Sequence, residues 1–126
     1  MLKYIEKCTG SDHTGPAWIG RVRSSKTGRT IYFNGKAFKR SHRAGSTGNY
    51  YDADNTDPYW ISGVKRDGED RHWAGSGHIM IEAGAVDEYL ETVGADRLDP
   101  KRFRVLEVTE TDIPSFHERE NRPVDE

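Results

Sequence analysis

Residues 57–73 read Asp-Pro-Tyr-Trp-Ile-Ser-Gly-Val-Lys-Arg-Asp-Gly-Glu-Asp-Arg-His-Trp, a dense combination of apolar, turn and charged residues. The apolar run predicts a central strand over 59–64, and Pro58 is acceptable because it stands where the strand begins. Neighbouring residues of a strand point to opposite faces, so Tyr59 and Trp60 put an aromatic ring on each face of the sheet. A small single sheet has one core, so one of the two rings needs another explanation.

Trp60 has two interpretations. In the first, a helix or the C-terminal tail covers the outer face of the sheet and buries the indole. In the second, the indole is an exposed platform for a nucleic-acid base or for a side chain of a protein partner. The sequence leaves both interpretations open.

Short strands and tight turns extend from this stretch in both directions. Further strands are predicted at 2–7, 17–23, 29–33, 36–40, 49–52, 78–82 and 103–108. Asn34-Gly35 predicts a type I′ hairpin turn, because both residues tolerate a positive φ. A helix is predicted over 85–93, where apolar residues recur at helical spacing and Gly94 follows as a C-terminal cap. The fold class is mainly β with a minor α part: a small meander sheet or an SH3-like, barrel-like domain with one C-terminal helix packed on it.

The length of 126 residues corresponds to one domain. We expect this β-rich domain to span residues 1–108, followed by an acidic, partly disordered tail over 109–126. In that tail Ile113, Phe116 and Val124 are the available apolar anchors.

The sequence contains no apolar run of the roughly 18 residues that a membrane span needs, and its N-terminus does not resemble a secretory signal. Cys8 is the single cysteine, so an internal disulfide is excluded. A lone thiol suits a reducing compartment, and we expect a cytoplasmic protein that does not associate with membranes.

The small net charge of −2 conceals an uneven distribution. Residues 1–50 contain ten Lys and Arg but only Glu6 and Asp12 as acids, whereas residues 51–126 contain nine basic and nineteen acidic residues. Such asymmetry either creates a face that attracts phosphates or an acidic partner, or is neutralised when the two halves pack together.

Basic strands with interleaved aromatics predict a binding surface for a protein or a single-stranded nucleic acid. The candidate binding residues are Trp60, Trp73, Tyr32, Arg21, Arg23, Lys36, Lys39, Arg40 and Arg43. Lys26 and Arg29 contribute to the same basic region, whereas Phe33 and Phe38 are expected in the core.

A catalytic alternative rests on the polar cluster near residue 70. Asp70 could orient His72 as a general acid or base, with His78 as a second proton carrier and Arg71 for a phosphate oxyanion. This would outline a small hydrolase or nuclease site. The competing interpretation is a solvated turn with a local ion pair, which the alternation of Asp70 and Arg71 across a strand favours.

Other ligand sites are weakly indicated. The set Cys8, His13, His72 and His78 matches no zinc spacing, so we expect no metal. The glycine pairs Gly45/Gly48 and Gly75/Gly77 lack the pattern of a phosphate-binding loop and are interpreted as turns.

Residues 49–52, Asn-Tyr-Tyr-Asp, and 59–71, from Tyr-Trp-Ile-Ser-Gly to Glu-Asp-Arg, resemble a group of small uncharacterised bacterial proteins. Residues 15–22 and 25–32 fit the same pattern, and the resemblance extends over roughly residues 3–93. It implies no activity. Some members carry the label of a deoxyxylulose-phosphate synthase, but this chain lacks the length and the metal-diphosphate segment that a thiamine-diphosphate enzyme requires, and we expect no cofactor.

The sequence therefore favours a non-catalytic binding module for a protein or nucleic-acid partner. The alternatives are the hydrolase outlined above and homodimerisation through β-edges.

Overall fold

The computed structural model describes residues 1–8, 16–41, 48–68 and 78–116. Within these ranges the chain is mostly β-strand. The strands are β1 (Leu2–Lys7), β2 (Ala17–Arg21), β3 (Arg23–Ser24), β4 (Thr30–Phe33), β5 (Lys36–Arg40), β6 (Tyr50–Asp52), β7 (Pro58–Gly63), β8 (Ile79–Glu82) and β9 (Phe103–Leu106). A 3-10 turn at Ala83–Ala85 leads into helix α1 (Val86–Val93), and residues 113–116 are also helical.

The nine strands form one sheet in the order β3-β4-β5-β6-β7-β1-β2-β8-β9. Only Val22 separates β2 from β3, although β3 lies at one end of this order and β2 lies near the other. Consecutive residues of one bent strand therefore pair with both β1 and β4, and the sheet curls into a barrel-like shape.

The inner face of the curled sheet holds an apolar core. Its buried members are Ile5, Val22, Ile31, Phe33, Phe38 and Ile61. Trp18 packs its ring edge-to-face on Phe33, with ring centroids 5.9 Å apart. Trp18 and Val22 both face this core, but the strand predicted over 17–23 is interrupted at Val22, and Ile19 is buried on the other face of the sheet.

Two separate elements cover parts of the outer face. Helix α1 covers β1, β2 and β8, where Tyr89 packs with Tyr4 and Ile19 in a second cluster. Residues 113–116 cover β4 and β5, where Phe116 is 8% exposed and packs on Tyr32. Trp60, on the outer face of β7, is 48% exposed.

The sequence predicted α1 and the hairpin correctly. Asp87 and Glu88 occupy the first turn of α1, where they suit the positive end of the helix dipole, and Gly94 ends the helix with a left-handed φ of 70°. Asn34 and Gly35 have φ of 52° and 77°, as a type I′ turn requires.

The β-rich, barrel-like fold class is confirmed, but the strand order is more complex than a meander. Strand β8 pairs parallel to β2, and β9 pairs parallel to β8. The packed region also extends beyond residue 108, because Ile113 and Phe116 join the cluster around Tyr32. Residues 117–126, the rest of the expected tail, lie outside the described ranges.

Among the described helices, none has the length and apolar character needed to cross a bilayer.

Gly20 is required by the inner core, and we predict that Gly20→Ala destabilises the protein. A Cβ at this position would overlap the Phe33 ring and lie 2.9 Å from Glu82 Oε1. Overpacking of this kind costs about 1–3 kcal/mol of unfolding free energy, measurable by urea denaturation.

Gly63→Ala is the matched control for this substitution. No atom lies within 4 Å of a Cβ built at Gly63, so the change should stay within about 0.5 kcal/mol. Equal losses in the two variants would contradict the close approach of Gly20 to Phe33.

Candidate anion-binding groove and aromatic surface

The part of the outer face that neither α1 nor residues 113–116 cover carries a row of directly opposed residues across four strands. Thr30 lies directly opposite Lys39, Lys39 opposite Tyr51, and Tyr51 opposite Pro58. Residues opposite each other in antiparallel strands share a face, so these side chains are neighbours. Trp60 follows Pro58 by two positions on the same face.

A groove opens at one end of this row. Its volume is about 320 Å³, and it is lined by Ser25, Thr27, Arg29, Thr30, Lys39, Arg40 and Tyr51. Three of these side chains are cations, four carry hydroxyl groups, and no carboxylate is among the described lining residues. We call this site the cationic groove.

Hydroxyl groups shape the turn that forms one wall of the cationic groove. Ser25 Oγ accepts a hydrogen bond from the Thr30 backbone N–H at 3.2 Å. Thr27 Oγ1 accepts one from the Arg29 N–H at 3.4 Å. The Gly28 N–H donates to the Ser25 carbonyl at 3.0 Å and closes the turn. These hydrogen bonds fix the backbone position of Arg29, the residue that follows the turn.

Arg29 and Arg40 face each other across neighbouring strands. The Arg40 N–H donates to the Arg29 carbonyl at 2.8 Å, one position beyond the Thr30–Lys39 pair. Like charges directly opposite in antiparallel strands are destabilising. Neither guanidinium forms an ion pair with any carboxylate in the described part of the chain. The positive charges of Arg29 and Arg40 are therefore concentrated at the cationic groove, and no described carboxylate neutralises them through an ion pair.

Several other basic residues of the first half are neutralised. Lys7 pairs with Asp57 at 3.1 Å, and the Arg21 Nε donates to Glu88 at 2.7 Å. Lys36 Nζ lies 3.3 Å from Asp52, whose side chain is 1% exposed. The two halves of the chain thus compensate each other at these sites.

The side-chain amide of Asn49 forms two hydrogen bonds with the backbone of Ile61 and fixes the start of β6 against β7. Its Oδ1 accepts from the Ile61 N–H and its Nδ2 donates to the Ile61 carbonyl, both at 2.8 Å. Gly48 precedes it with a φ of 88°, and a Cβ there would overlap the Tyr59 carbonyl oxygen. These contacts give Asn49 a structural role and fix β6, which carries Tyr51, beside the part of β7 that carries Trp60.

Tyr59 lies on the opposite, inner face of β7 and packs on Phe38 with ring centroids 4.7 Å apart. Burial raises the pKa of its hydroxyl, and the nearby carboxylates of Asp52 and Asp57 raise it further. The phenol therefore stays neutral at physiological pH.

The predicted binding residues do not all reach one surface. Lys39 and Trp60 lie along the row described above, and Arg40, the residue after Lys39 at the end of β5, lines the cationic groove. Tyr32 does not, because its ring is 3% exposed and packs under Phe116. Arg43 and Trp73 lie outside the described residues.

Arg21 and Arg23 lie at a different place. They line a second cavity of about 240 Å³ between β3, β4 and residues 108–111, together with Glu82 and Glu110. The mixture of both charge signs distinguishes this cavity from the cationic groove.

The catalytic hypothesis falls mainly on residues that the structure does not describe. Asp70, Arg71 and His72 lie outside the described ranges, and His78 is half-buried immediately before β8. His13 of the metal hypothesis and the glycines Gly45, Gly75 and Gly77 also lie outside the described ranges. Within the described ranges, no group of three His, Cys, Asp or Glu side chains is arranged to hold a metal ion.

Ser25, Thr27, Thr30 and Tyr51 are not among the binding residues that the sequence predicts, and Arg29 is predicted only as part of the wider basic region. The signal was present, because a hairpin turn at Asn34-Gly35 pairs residue 33 with 36 and, counting outward, Arg29 with Arg40. The register of one predicted hairpin therefore identifies the arginine pair.

No family model, curated protein or solved structure matches this chain.

Cys8 follows β1, and burial raises the pKa of its thiol, with a further contribution from the negative charge of Glu6. A raised pKa lowers the thiolate fraction at a given pH, and the thiolate is the nucleophile. We predict that iodoacetamide modifies Cys8 more slowly in the folded protein than in urea between about pH 7 and 9. The urea-unfolded chain is the control, and an equal or faster rate in the folded state would contradict this environment.

Proposed function

We propose that this chain is a non-catalytic binding module that holds the anionic groups of a macromolecular partner in the cationic groove. The observation that carries the proposal is the convergence of Arg29, Lys39 and Arg40 on one groove whose described lining contains no carboxylate. The exposed Trp60 lies on the same face and adds apolar contact area.

The opposed arginines supply the energetic argument. An anion between Arg29 and Arg40 replaces their mutual repulsion with attraction to a shared group. Guanidinium groups bind phosphate and carboxylate oxygens through pairs of charge-assisted hydrogen bonds. The hydroxyl groups of Thr27 and Tyr51 can donate further hydrogen bonds to the same oxygens.

The charge distribution gives the module selectivity. Its acidic residues lie largely in the second half of the chain, including Asp87 and Glu91 of α1. An anionic partner is attracted to the cationic groove and repelled from the α1 side, so it approaches in one orientation.

Removal of both arginines tests this proposal. We expect wild-type protein to bind inorganic pyrophosphate at low ionic strength, measured by isothermal titration calorimetry. The double variant Arg29→Ala/Arg40→Ala should bind it at least about tenfold more weakly, because each lost charge-assisted bond contributes about 1.5–3 kcal/mol.

The matched control is Arg97→Ala/Lys101→Ala, which removes the same charge from two exposed residues that follow α1. This variant should retain wild-type affinity within about twofold. Undetectable pyrophosphate binding by the wild type, or equal losses in the two double variants, would overturn the proposal.

A further inference from the structure

We infer that the anionic partner is a single-stranded nucleic acid, whose phosphates enter the cationic groove while unpaired bases stack on Tyr51 and Trp60. This inference rests on the function proposed above and names the partner of the same surface.

The relative placement of the two rings supports stacking of neighbouring bases. Tyr51 lies opposite Pro58, and Trp60 is two residues further along β7 on the same face. Such diagonal neighbours are about 7–8 Å apart, within reach of large side chains. The rings therefore form adjacent platforms, and each can accept the face of one base.

The groove and the platforms are continuous. Tyr51 itself lines the cationic groove and lies opposite Lys39, so one end of the aromatic pair contacts the phosphate site directly. A positively charged groove beside stacking aromatics is the arrangement by which small β-barrels hold single strands. The sugar-phosphate backbone would follow the cations while the bases turn towards the sheet.

An acidic residue bounds this surface on the far side of Trp60. Glu6, directly opposite Trp60 on β1, is 8% exposed and accepts a hydrogen bond from the Tyr4 hydroxyl. Phosphates therefore gain nothing beyond the aromatic pair, and the described surface suits about two bases.

A duplex does not fit this surface. The faces of paired bases are hidden within their stack, so Tyr51 and Trp60 would contribute nothing to duplex binding. The described helix that could enter a major groove, α1, packs against β1, β2 and β8 and carries Asp87, Glu88 and Glu91. An acidic protein segment could occupy the cations but would not require two aromatic faces.

The direct experiment measures binding of fluorescein-labelled ten-nucleotide oligothymidylate and oligouridylate by fluorescence anisotropy over a range of salt concentrations. With three cations engaged, the logarithm of the affinity should fall against the logarithm of salt with a slope of about −2. Arg29→Ala/Arg40→Ala should reduce that slope to about −0.7, and Arg97→Ala/Lys101→Ala should leave it unchanged.

Substitutions at the platforms separate stacking from general apolar contact. Trp60→Leu and Tyr51→Ala should each weaken oligonucleotide binding about tenfold, whereas Trp60→Phe and Tyr51→Phe should retain most of it. The two Trp60 variants should change pyrophosphate binding by no more than about twofold. The Tyr51 variants are not used for this comparison, because Tyr51 lines the cationic groove.

The outcomes distinguish the two levels of the proposal. Oligonucleotide binding that Trp60→Leu does not weaken, or equal affinity for a duplex or for polyglutamate, would overturn the nucleic-acid inference and leave the anion-binding module standing. Absence of pyrophosphate binding with intact, Trp60-dependent oligonucleotide binding would instead overturn the groove assignment. Weaker oligonucleotide binding both in Arg29→Ala/Arg40→Ala and in the Trp60→Leu and Tyr51→Ala variants, together with the expected salt slopes, supports the inference.

Discussion

The bend at Val22 is the constraint on which the rest of the structure depends. Its N–H donates to the Met1 carbonyl at 2.8 Å, and its side chain is buried in the inner core. Because one residue joins the strand that pairs with β1 to the strand that pairs with β4, both regions of the sheet must curl towards each other. Gly20, two residues before the bend, leaves room for the Phe33 ring. The inner core, and the division of the outer face, follow from this curl.

The covering of the outer face is asymmetric, and that asymmetry defines the candidate site. Helix α1 covers one part and Phe116 covers the end of the hairpin near Tyr32, so Lys39 and Tyr51 stay partly accessible and Trp60 stays exposed. The hydrogen bonds that hold residues 109–111 to the hairpin, from the Thr109 N–H to Asn34 Oδ1 and from the Gly35 N–H to Thr111 Oγ1, each 2.9 Å, carry the chain to this position. The packing of a short C-terminal segment thus selects which aromatic residues can meet a partner.

Local patterns predicted the local structure of this chain. Alternation identified the strands, Asn34-Gly35 identified the hairpin, and apolar spacing with Gly94 identified α1. The same hairpin register implies the opposition of Arg29 and Arg40, which makes the centre of the cationic groove a consequence of the sequence. The basic residues Lys7, Arg21 and Lys36 could not be assigned to ion pairs beforehand, because their partners lie on distant segments.

Long-range packing was beyond the reach of those patterns. Alternation in β8 shows which residues face the core, but not that β8 lies parallel to β2 or that β9 follows it. Tyr32 and Trp60 look alike in sequence, since both are aromatics within strands. Tyr32 is buried because Phe116 covers it, whereas Trp60 is exposed because no described residue covers it to the same degree. The outer face of a strand cannot be assigned until the covering elements are placed.

Nuclear magnetic resonance mapping tests the central claim, that the uncovered outer face of β4 to β7 is the binding surface, most directly. Addition of the ten-nucleotide oligothymidylate to ¹⁵N-labelled protein should shift the amide signals of residues 25–30, 39–41 and 51 and the indole N–H of Trp60, while the signals of α1 and β9 stay in place. Shifts concentrated in α1 or β9, with residues 25–30 and the Trp60 indole unaffected, would contradict the account.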